Sequence, residues 1–242
     1  MNVVKVKNYD EMSEKACELI ISKLKGNEKP VLGLATGSTP EGFYDRLIEA
    51  YEQGNITFEN ITTFNLDEYV GLAKDDPQSY HYYMYNRLFK HIDLKEENAH
   101  LPKGDAENLK EECERYEQLI KAAGGVDIQL LGLGTNGHIA FNEPGTSFES
   151  RTQVVNLTES TIEANSRFFE NKDDVPTEAV TMGIGSILES DEIVMLVSGE
   201  NKSEALAQII NGEITEDNPA TVLQKHKNVT IIADEAALRK VK

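Results

Sequence analysis

The segment 132–145, GLGTNGHIAFNEPG, frames one histidine with glycines and places an amide and a carboxylate on either side of it. An imidazole titrates near neutral pH, so it can both give and accept a proton. Asn136 and Glu143 are suited to orient the ring of His138 and to set which nitrogen carries the proton. A lone histidine is more often a surface or packed residue, but this position between glycines, after the apolar run VDIQLL, favours a catalytic role.

A second candidate for proton chemistry is the pair Asp67 and Glu68 in FNLDEYVG, which follows the strand-like run ITTF. A carboxylate at the end of a strand can be partly desolvated and act as a general base. One member of the pair is expected to cap the turn that follows, as aspartate commonly does. We predict that Asp67 is the general base, although spacing alone does not choose between the two carboxylates.

The segment 33–40, GLATGSTP, passes from a strand into a helix and has the composition of an anion-binding turn. Glycine lets the backbone approach a ligand, and free amides at a helix start attract negative charge. Ser38 and Thr39 add hydroxyl donors, and Pro40 suits a first helical turn. The alternative is an ordinary helix start capped by Thr39. Because neither GxxxxGK[ST] nor GxGxxG occurs in this loop, nucleotide binding is disfavoured.

Two cations are placed where they could complete such a site. Arg167 lies in the polar stretch ANSRFF, and Lys202 follows the strand and turn VMLVSGENK. Both are candidate phosphate clamps, but each taken alone is more often a solvated surface charge. Only convergence with segment 33–40 would separate the two interpretations. A zinc site lacks support, because one histidine and scattered carboxylates have no metal-ligand spacing.

These residues lie at the ends of apolar, strand-sized runs that alternate with helical windows along the chain. The runs are NVVKV, VLGLATG, ITTFNLDEY, VDIQLLGLG, EIVMLVSG and NVTIIAD, and the windows are 9–25, 41–53, 79–89, 107–123, 203–210 and 221–226. Mostly apolar strands separated by helices predict an α/β fold with a doubly wound, mainly parallel sheet and helices on both faces, which is Rossmann-like. We expect residues 1–242 to form a single domain, with the polar segment 156–181 as a surface insertion or lid.

The overall charge excludes several classes of partner. The chain of 242 residues has a formal net charge of −18, which repels nucleic-acid phosphates and anionic membranes. An anionic substrate would therefore need a binding site with local positive potential. No apolar run approaches the roughly 20 residues that span a bilayer, and no leader segment is visible. Two cysteines in helix-like sequence do not predict a disulfide framework, so we expect a cytoplasmic location.

Taken together, these stretches resemble the glucosamine-6-phosphate deaminases, also called glucosamine-6-phosphate isomerases. The matching stretches are LGLATGSTPEGFY, TFNLDEYVGL, DDPQSYHYYM, LLGLGTNGHIAFNEPGTSFESRT, ANSRFF and TMGIGSIL, in order between residues 31 and about 212. The related 6-phosphogluconolactonases have a similar loop, an Asp-Glu pair and a Gly-His-x-Ala segment. They typically lack the FNEPG continuation and have arginine after Asp-Glu, so Tyr69 and segment 141–145 favour the deaminase.

The resemblance implies conversion of glucosamine 6-phosphate and water to fructose 6-phosphate and ammonia in amino-sugar catabolism, with no metal or organic cofactor. It implies that His138 assists ring opening with support from Asn136 and Glu143. It also implies that Asp67 moves a proton from C2 to C1 of the open chain, under a lid at 156–181. The residues implied to bind the substrate phosphate are Gly37, Ser38, Thr39, Arg167 and Lys202.

Two departures from the family pattern bear on pH dependence and regulation. Many members have aspartate where this chain has Asn136, and an amide cannot stabilise a protonated imidazole by charge, so we expect a displaced acid limb of the rate profile. Longer members are hexamers activated by N-acetylglucosamine 6-phosphate through basic residues that match Gln153 and Val155 here. With neither cation and a short C-terminal segment, we expect a monomer or small homo-oligomer without that activation.

Two other functions remain open from the sequence. One is a 6-phosphogluconolactonase-like hydrolase, which needs no base that removes a proton from carbon. The other is a non-catalytic phosphosugar sensor, which could dispense with proton-transfer residues altogether. The presence of Asp67, His138 and Glu143 disfavours the sensor.

Overall fold

The fold is built on a central parallel sheet, seen in a computed structural model that describes residues 1–166, 169–171 and 174–241. The strands are β1 (Asn2–Val6), β2 (Val31–Leu34), β3 (Thr62–Asn65), β4 (Asp67–Tyr69), β5 (Ala99–His100), β6 (Ile128–Leu131), β7 (Gln153–Asn156), β8 (Glu178–Thr181), β9 (Glu192–Val197) and β10 (Val229–Asp234). Seven of them pair in parallel in the order β1-β10-β9-β6-β2-β3-β5. The order reverses at β2, because the chain runs from β2 through β3 to one edge and returns to β6 on the other side.

The strands alternate with helices, as the sequence predicts. The helices are α1 (Tyr9–Leu24), α2 (Glu41–Glu52), α3 (Tyr80–Arg87), α4 (Leu109–Ala122), α5 (Glu159–Asn165), α6 (Ile184–Leu188) and α7 (Ser203–Asn211). Five predicted windows match α1, α2, α3, α4 and α7 to within two residues at either end. The predicted fold class, a doubly wound and mainly parallel α/β sheet, is confirmed. No helix within the described ranges is both long and apolar enough to cross a membrane.

Helix α1 illustrates why these helices can be predicted from the sequence. It begins where the Asn8 side-chain oxygen accepts the backbone N–H of Glu11 at 3.0 Å, which satisfies one of the unpaired amides of a helix start. Met12, Ala16 and Ile20 then recur every four residues and are fully buried. This face packs against α2 and β10. Full burial of side chains such as Met12 and Ile20 contributes about 1.5–3 kcal/mol each.

The predicted strand ITTFNLDEY is wrong as a single element. β3 ends at Asn65, and β4 belongs to a separate antiparallel sheet of order β4-β8-β7. Leu66 makes the transition, because its N–H donates to Leu34 O of β2 while its carbonyl accepts the N–H of Met182. The chain therefore leaves the central sheet one residue before Asp67.

The helix predicted over 221–226 is also wrong, because Pro219–Lys225 forms a 3-10 helix. Pro219 occupies its first turn, and the Thr221 hydroxyl bonds back to the carbonyls of Asn218 (2.6 Å) and Thr215 (3.1 Å). Such local side-chain bonds compete with the regular α-helical pattern.

Segment 156–181 contains regular structure that the sequence did not predict. It includes helix α5 and strand β8, which pairs with both β4 and β7. The smaller sheet therefore joins this segment to the strand that carries Asp67, at the carboxyl edge of the central sheet.

Candidate active site

The reversal of strand order creates a crevice between the carboxyl ends of β2 and β6. A pocket of about 590 Å³ lies there, lined by segment 35–39 after β2, by residues of segment 132–141 after β6, and by Leu66 and Asp67 after β3. Open parallel sheets bind ligands at such switch points, because the loops on the two sides turn away from each other. The strand ends singled out in the sequence thus meet at one pocket.

The loop after β2 has a fixed, turned shape. Gly37 has a φ of +87°, a conformation that residues with side chains rarely adopt. Two tyrosine hydroxyls hold the loop carbonyls, as Tyr83 donates to Gly37 O at 2.7 Å and Tyr9 donates to Ser38 O at 3.0 Å. Gly37, Ser38 and Thr39 all line the pocket.

The alternative in which Thr39 caps helix α2 is wrong. Pro40 occupies the N-cap position, and no side chain caps this helix start. Thr39 lines the pocket instead, at the positive end of the α2 dipole. A phosphate group would find hydroxyls, backbone amides and the helix dipole on one wall.

Lys202 lines the same pocket from the turn that follows β9. A 3-10 turn, Glu200–Lys202, follows Gly199, whose φ of +96° redirects the chain after β9. Lys202 and segment 37–39 line one pocket, so the convergence that would distinguish a clamp from a surface charge is present for this residue. Arg167 lies outside the described residues, and its role stays a prediction.

Asp67 lines the pocket and is almost completely buried, with 7% of its surface exposed. Burial raises the pKa of Asp67 to about 8, and the negative charge of neighbouring Glu68 adds to the rise. A carboxylate with so high a pKa is a much stronger base than an ordinary one. It can take a proton from a weak acid and hold it at neutral pH.

Glu68 is the member of the pair that binds the start of helix α3. Its carboxylate accepts the backbone N–H groups of Tyr80 and His81 at the start of α3, each at 3.0 Å. The sequence predicts a cap on the turn that directly follows, whereas Glu68 caps a helix start 12 residues further along the chain. With Glu68 committed to the helix start, Asp67 is the carboxylate that lines the pocket.

His138 lies against Gly134, where a Cβ would come within 2.4 Å of the imidazole ring. This close approach explains why position 134 is a glycine. The Nδ1 atom of His138 faces Oε2 of Glu143 at 3.5 Å, and the side chain is about one-quarter exposed at the pocket. The histidine and carboxylate are thus paired as the sequence predicts.

Asn136 supports this pair in a different way from the one predicted. Its amide donates to Oε2 of Glu143 at 2.7 Å, and its oxygen accepts the backbone N–H of His138 at 3.2 Å. It therefore orients the carboxylate and the backbone of the histidine, while the imidazole faces Glu143.

Glu143 is held as a charged group. Burial by itself would raise its pKa, but the facing His138 and hydrogen bonds from Thr161 and Asn136 lower the pKa of Glu143 to about 2. The Thr161 hydroxyl donates to Oε1 at 2.5 Å. Because Thr161 is on α5, the segment predicted as a lid contacts the histidine–carboxylate pair.

Two site residues, Thr161 and Tyr80, were not singled out from the sequence. Thr161 lies in a polar stretch without a motif. Tyr80 falls in the quoted stretch DDPQSYHYYM, which was the available signal. It lines the pocket, its hydroxyl donates to that of Tyr69 at 3.2 Å, and its ring stacks on Phe141.

The described residues contain no group of three or more histidine, cysteine, aspartate and glutamate side chains arranged to hold a metal ion. Cys17 and Cys113 are both buried free thiols, and burial raises the pKa of each to about 11. They are therefore inert as nucleophiles at neutral pH.

Residues 6–232 match the model of the family described as glucosamine-6-phosphate isomerases/6-phosphogluconolactonase. The chain belongs to this family. Among its relatives, the glucosamine-6-phosphate deaminase of Oceanobacillus iheyensis is 56% identical over 100% of this chain and 96% of its own. That of Thermoanaerobacter pseudethanolicus is 55% identical over 98% of this chain and 94% of its own. The resemblance inferred from the sequence is thereby confirmed.

Solved structures of the family agree with the fold. A glucosamine-6-phosphate deaminase described as monomeric superposes with a TM-score of 0.97 at 50% identity, covering 99% of this chain and 100% of its own. The 6-phosphogluconolactonase of Trypanosoma cruzi superposes with a TM-score of 0.80 at 22% identity, covering 100% of this chain and 97% of its own. At that identity the second match supports the shared fold alone.

Proposed function

We propose that the chain converts glucosamine 6-phosphate and water to fructose 6-phosphate and ammonia. The observation that carries this proposal is one pocket lined by two separate proton-transfer groups, the buried Asp67 and the imidazole of His138, which faces Glu143 at 3.5 Å. Isomerisation of a cyclic aminosugar needs both, one for the ring and one for the carbon chain. Relatives at 55–56% identity that carry the name of this activity support the same conclusion.

In this proposal the phosphate anchors the substrate at a distance from the reacting carbons. Gly37, Ser38 and Thr39 would surround it with amides and hydroxyls, and Lys202 would supply positive charge, with Arg167 as a further predicted clamp. Such remote binding can supply the energy that positions the reacting groups.

Ring opening would be carried by His138. Its imidazole takes a proton from the anomeric hydroxyl and delivers one to the ring oxygen, so the C1–O5 bond breaks as the C1 carbonyl forms. Glu143 stabilises the protonated imidazole, because its low pKa keeps it negatively charged at neutral pH. Asn136 holds Glu143 in place through its 2.7 Å hydrogen bond.

Asp67 would then act on the open chain. It removes the proton from C2 while the carbonyl oxygen is protonated, which gives an enolamine, and it returns the proton to C1. The resulting iminium carbon at C2 adds water and releases ammonia, leaving the ketone. Transfer of a proton from C2 to C1 needs one base that reaches both carbons and is shielded from water. The burial of Asp67 supplies that shielding.

The decisive test measures ammonia and fructose 6-phosphate released from glucosamine 6-phosphate. We expect both products in equal amounts from the parent chain, release slowed by roughly 10³–10⁴-fold in Asp67→Asn, and unchanged rates from Asp75→Asn, which alters an exposed aspartate. Hydrolysis of 6-phosphogluconolactone without release of ammonia from the aminosugar would instead establish the lactonase alternative. Binding of either phosphosugar with no turnover would establish the sensor.

We also propose that the chain works as a monomer or small homo-oligomer without activation by N-acetylglucosamine 6-phosphate. Gln153 and Val155 line a second pocket of about 450 Å³ whose described lining includes Glu143 but no lysine or arginine. A phosphate group would meet no cation there. Light scattering gives the assembly state, and sigmoidal substrate saturation relieved by the acetylated sugar would contradict the proposal.

A lid role for segment 156–181 completes the proposal. Thr161 and Glu163 of this segment line the pocket, so closure over a bound sugar would change their surroundings. Because the chain has no tryptophan, Ser166→Trp would introduce a single fluorescent reporter. We expect its emission to change on addition of fructose 6-phosphate, and an unchanged spectrum at saturating product would argue against closure.

A further inference from the structure

The carboxylate beside the proposed base is itself part of an unusual arrangement. Glu68 is 1% exposed and directly follows Asp67 in the chain. Its Oε1 accepts the backbone N–H groups of Tyr69 (2.9 Å) and Tyr80 (3.0 Å), and its Oε2 accepts the backbone N–H of His81 (3.0 Å). The imidazole of His81 adds a fourth contact, with Nδ1 at 2.9 Å from Oε2.

The start of helix α3 does not require that imidazole. Ser79 occupies the N-cap, and its hydroxyl oxygen accepts the N–H of Tyr82 at 3.0 Å. The N–H groups of Tyr80 and His81 are already bonded to Glu68. The His81 ring therefore acts on the carboxylate rather than on the helix.

The imidazole also connects a buried charge to solvent. The His81 side chain is 25% exposed, whereas that of Glu68 is 1% exposed. Two adjacent carboxylates are buried here, and the charge of Glu68 acts directly on Asp67. A donor on Glu68, or a positive charge next to it, weakens the negative potential that Asp67 experiences.

We propose that His81 is a positioning residue that acts on Asp67 through Glu68, holding Glu68 in place and moderating the charge that it directs at the base. The inference rests on the proposed function, because it takes Asp67 as the group that moves the carbon-bound proton. It makes the Glu68–His81 pair a control on the basicity of Asp67, separate from the pair that opens the ring.

Other titratable groups surround Asp67 and do not substitute for His81. The phenols of Tyr80 on α3 and Tyr116 on α4 are buried, which keeps the pKa of both well above the ordinary value. Other titratable groups on the elements around Asp67, or lining the pocket, include Tyr69, Tyr83, Arg87, His100, Glu112, Arg115, His138, Glu163 and Lys202. His81 contributes the imidazole whose Nδ1 lies 2.9 Å from Oε2 of Glu68.

The test compares His81→Phe with His81→Gln, which keeps a donor but not the imidazole, and with the matched control His91→Phe. His91 lies in the 3-10 turn after α3 and is exposed. Two readouts are followed against pH: kcat/KM for glucosamine 6-phosphate, and the carboxyl signal of Asp67 in protein labelled with ¹³C-aspartate. The Asp67→Asn variant assigns that signal.

Removal of the donor should make Asp67 more basic. In His81→Phe we expect the Asp67 signal and the acid limb of kcat/KM to move to higher pH by about 0.5–1 unit. His81→Gln should recover part of that shift, and His91→Phe should coincide with the parent. Because the carboxyl signal needs no turnover, it tests the inference even if the chain releases no ammonia.

Two outcomes would overturn the inference. One is a carboxyl titration in His81→Phe that superimposes on the parent. The other is a loss of kcat of the same factor at every pH, which would show that His81 only supports the packing of α3.

Discussion

Asp67 and Glu143 are buried carboxylates of the same site, yet their pKa values move in opposite directions, to about 8 and about 2. Burial raises both. Glu143 receives hydrogen bonds from Asn136 and Thr161 and faces His138, whereas Asp67 has a second carboxylate, Glu68, beside it. Burial with a second carboxylate alongside gives a high pKa, whereas burial with several donors and a facing imidazole keeps a carboxylate charged.

The two regions also differ in backbone. The loop after β6 turns sharply, with positive φ at Gly137, Ala140 and Gly145, whereas residues 62–69 have none. Ala140, at φ +53°, is the non-glycine residue among these. The donors that keep Glu143 negatively charged come from this loop and from helix α5. Asp67 instead lies in the regular backbone of β4.

The largest expected effect comes from removing the base. Asp67→Asn keeps the size of the side chain but cannot accept the C2 proton, so we expect kcat to fall by roughly 10³–10⁴-fold. Affinity for the phosphosugar, measured by calorimetry, should change little. A variant that retains a tenth of the parent rate would refute the assignment of the base.

Neutralising the second carboxylate should have a smaller effect. Glu143→Gln leaves His138 in place but removes the charge that stabilises its protonated form, and we expect kcat/KM to fall by roughly 10²-fold. Steady-state rates for this variant are compared with Glu149→Gln, which alters an exposed glutamate in the same segment. Equal rates for both variants would mean that the pairing at 3.5 Å has no catalytic role.

The two carboxylates should affect stability in opposite pH ranges. The folded pKa of Asp67 is raised, so its contribution is present below about pH 4 and is lost as pH rises towards 8, by up to about 1.4 kcal/mol per unit. That of Glu143 is lowered, so its contribution is present above about pH 4.5 and is lost as pH falls towards 2. The free energy of unfolding, measured with urea, should depend less on pH between 4 and 8 in Asp67→Asn. In Glu143→Gln it should depend less on pH between 2 and 4.5. The same curve for both variants would show that the shifts are not real.

The smallest expected change is at Asn136. Asn136→Asp removes the donor at 2.7 Å from Glu143 and adds a negative charge, which favours the protonated imidazole of His138. We expect the acid limb of kcat/KM to move to higher pH by about one unit or less. Superimposable pH profiles of kcat/KM for parent and variant would contradict the idea that residue 136 controls the protonation of His138.

The sequence predicted the central sheet well because its strands are apolar runs and its helices carry one buried face. It did not predict the short elements β5, β7, β8, α5 and α6, and it merged β3 with β4. Strands β4, β7 and β8 pair between distant segments, as Asp67 does with Thr181, and no local pattern indicates such pairing. Segment 156–181 therefore looked like an insertion.

Among site residues, motif and strand-end position pointed to Asp67, His138, Glu143 and the loop 37–39. Thr161 and His81 could not be found in this way, because a threonine or histidine in polar sequence has no distinguishing neighbours. Their contacts with Glu143 and Glu68 span 18 and 13 residues.

The sequence by itself determined the fold class, the family and the side chains that could transfer protons, since these follow from hydrophobic periodicity and from short motifs at strand ends. Only the tertiary structure decided how the two carboxylates divide their tasks. Aspartate and glutamate begin with nearly the same chemistry, and the pKa of each depends on burial, on donors and on charges supplied by residues remote in the chain. For the same reason GLGTNGHIAFNEPG predicts a histidine and its carboxylate, but not the threonine on α5 that helps to keep this carboxylate charged.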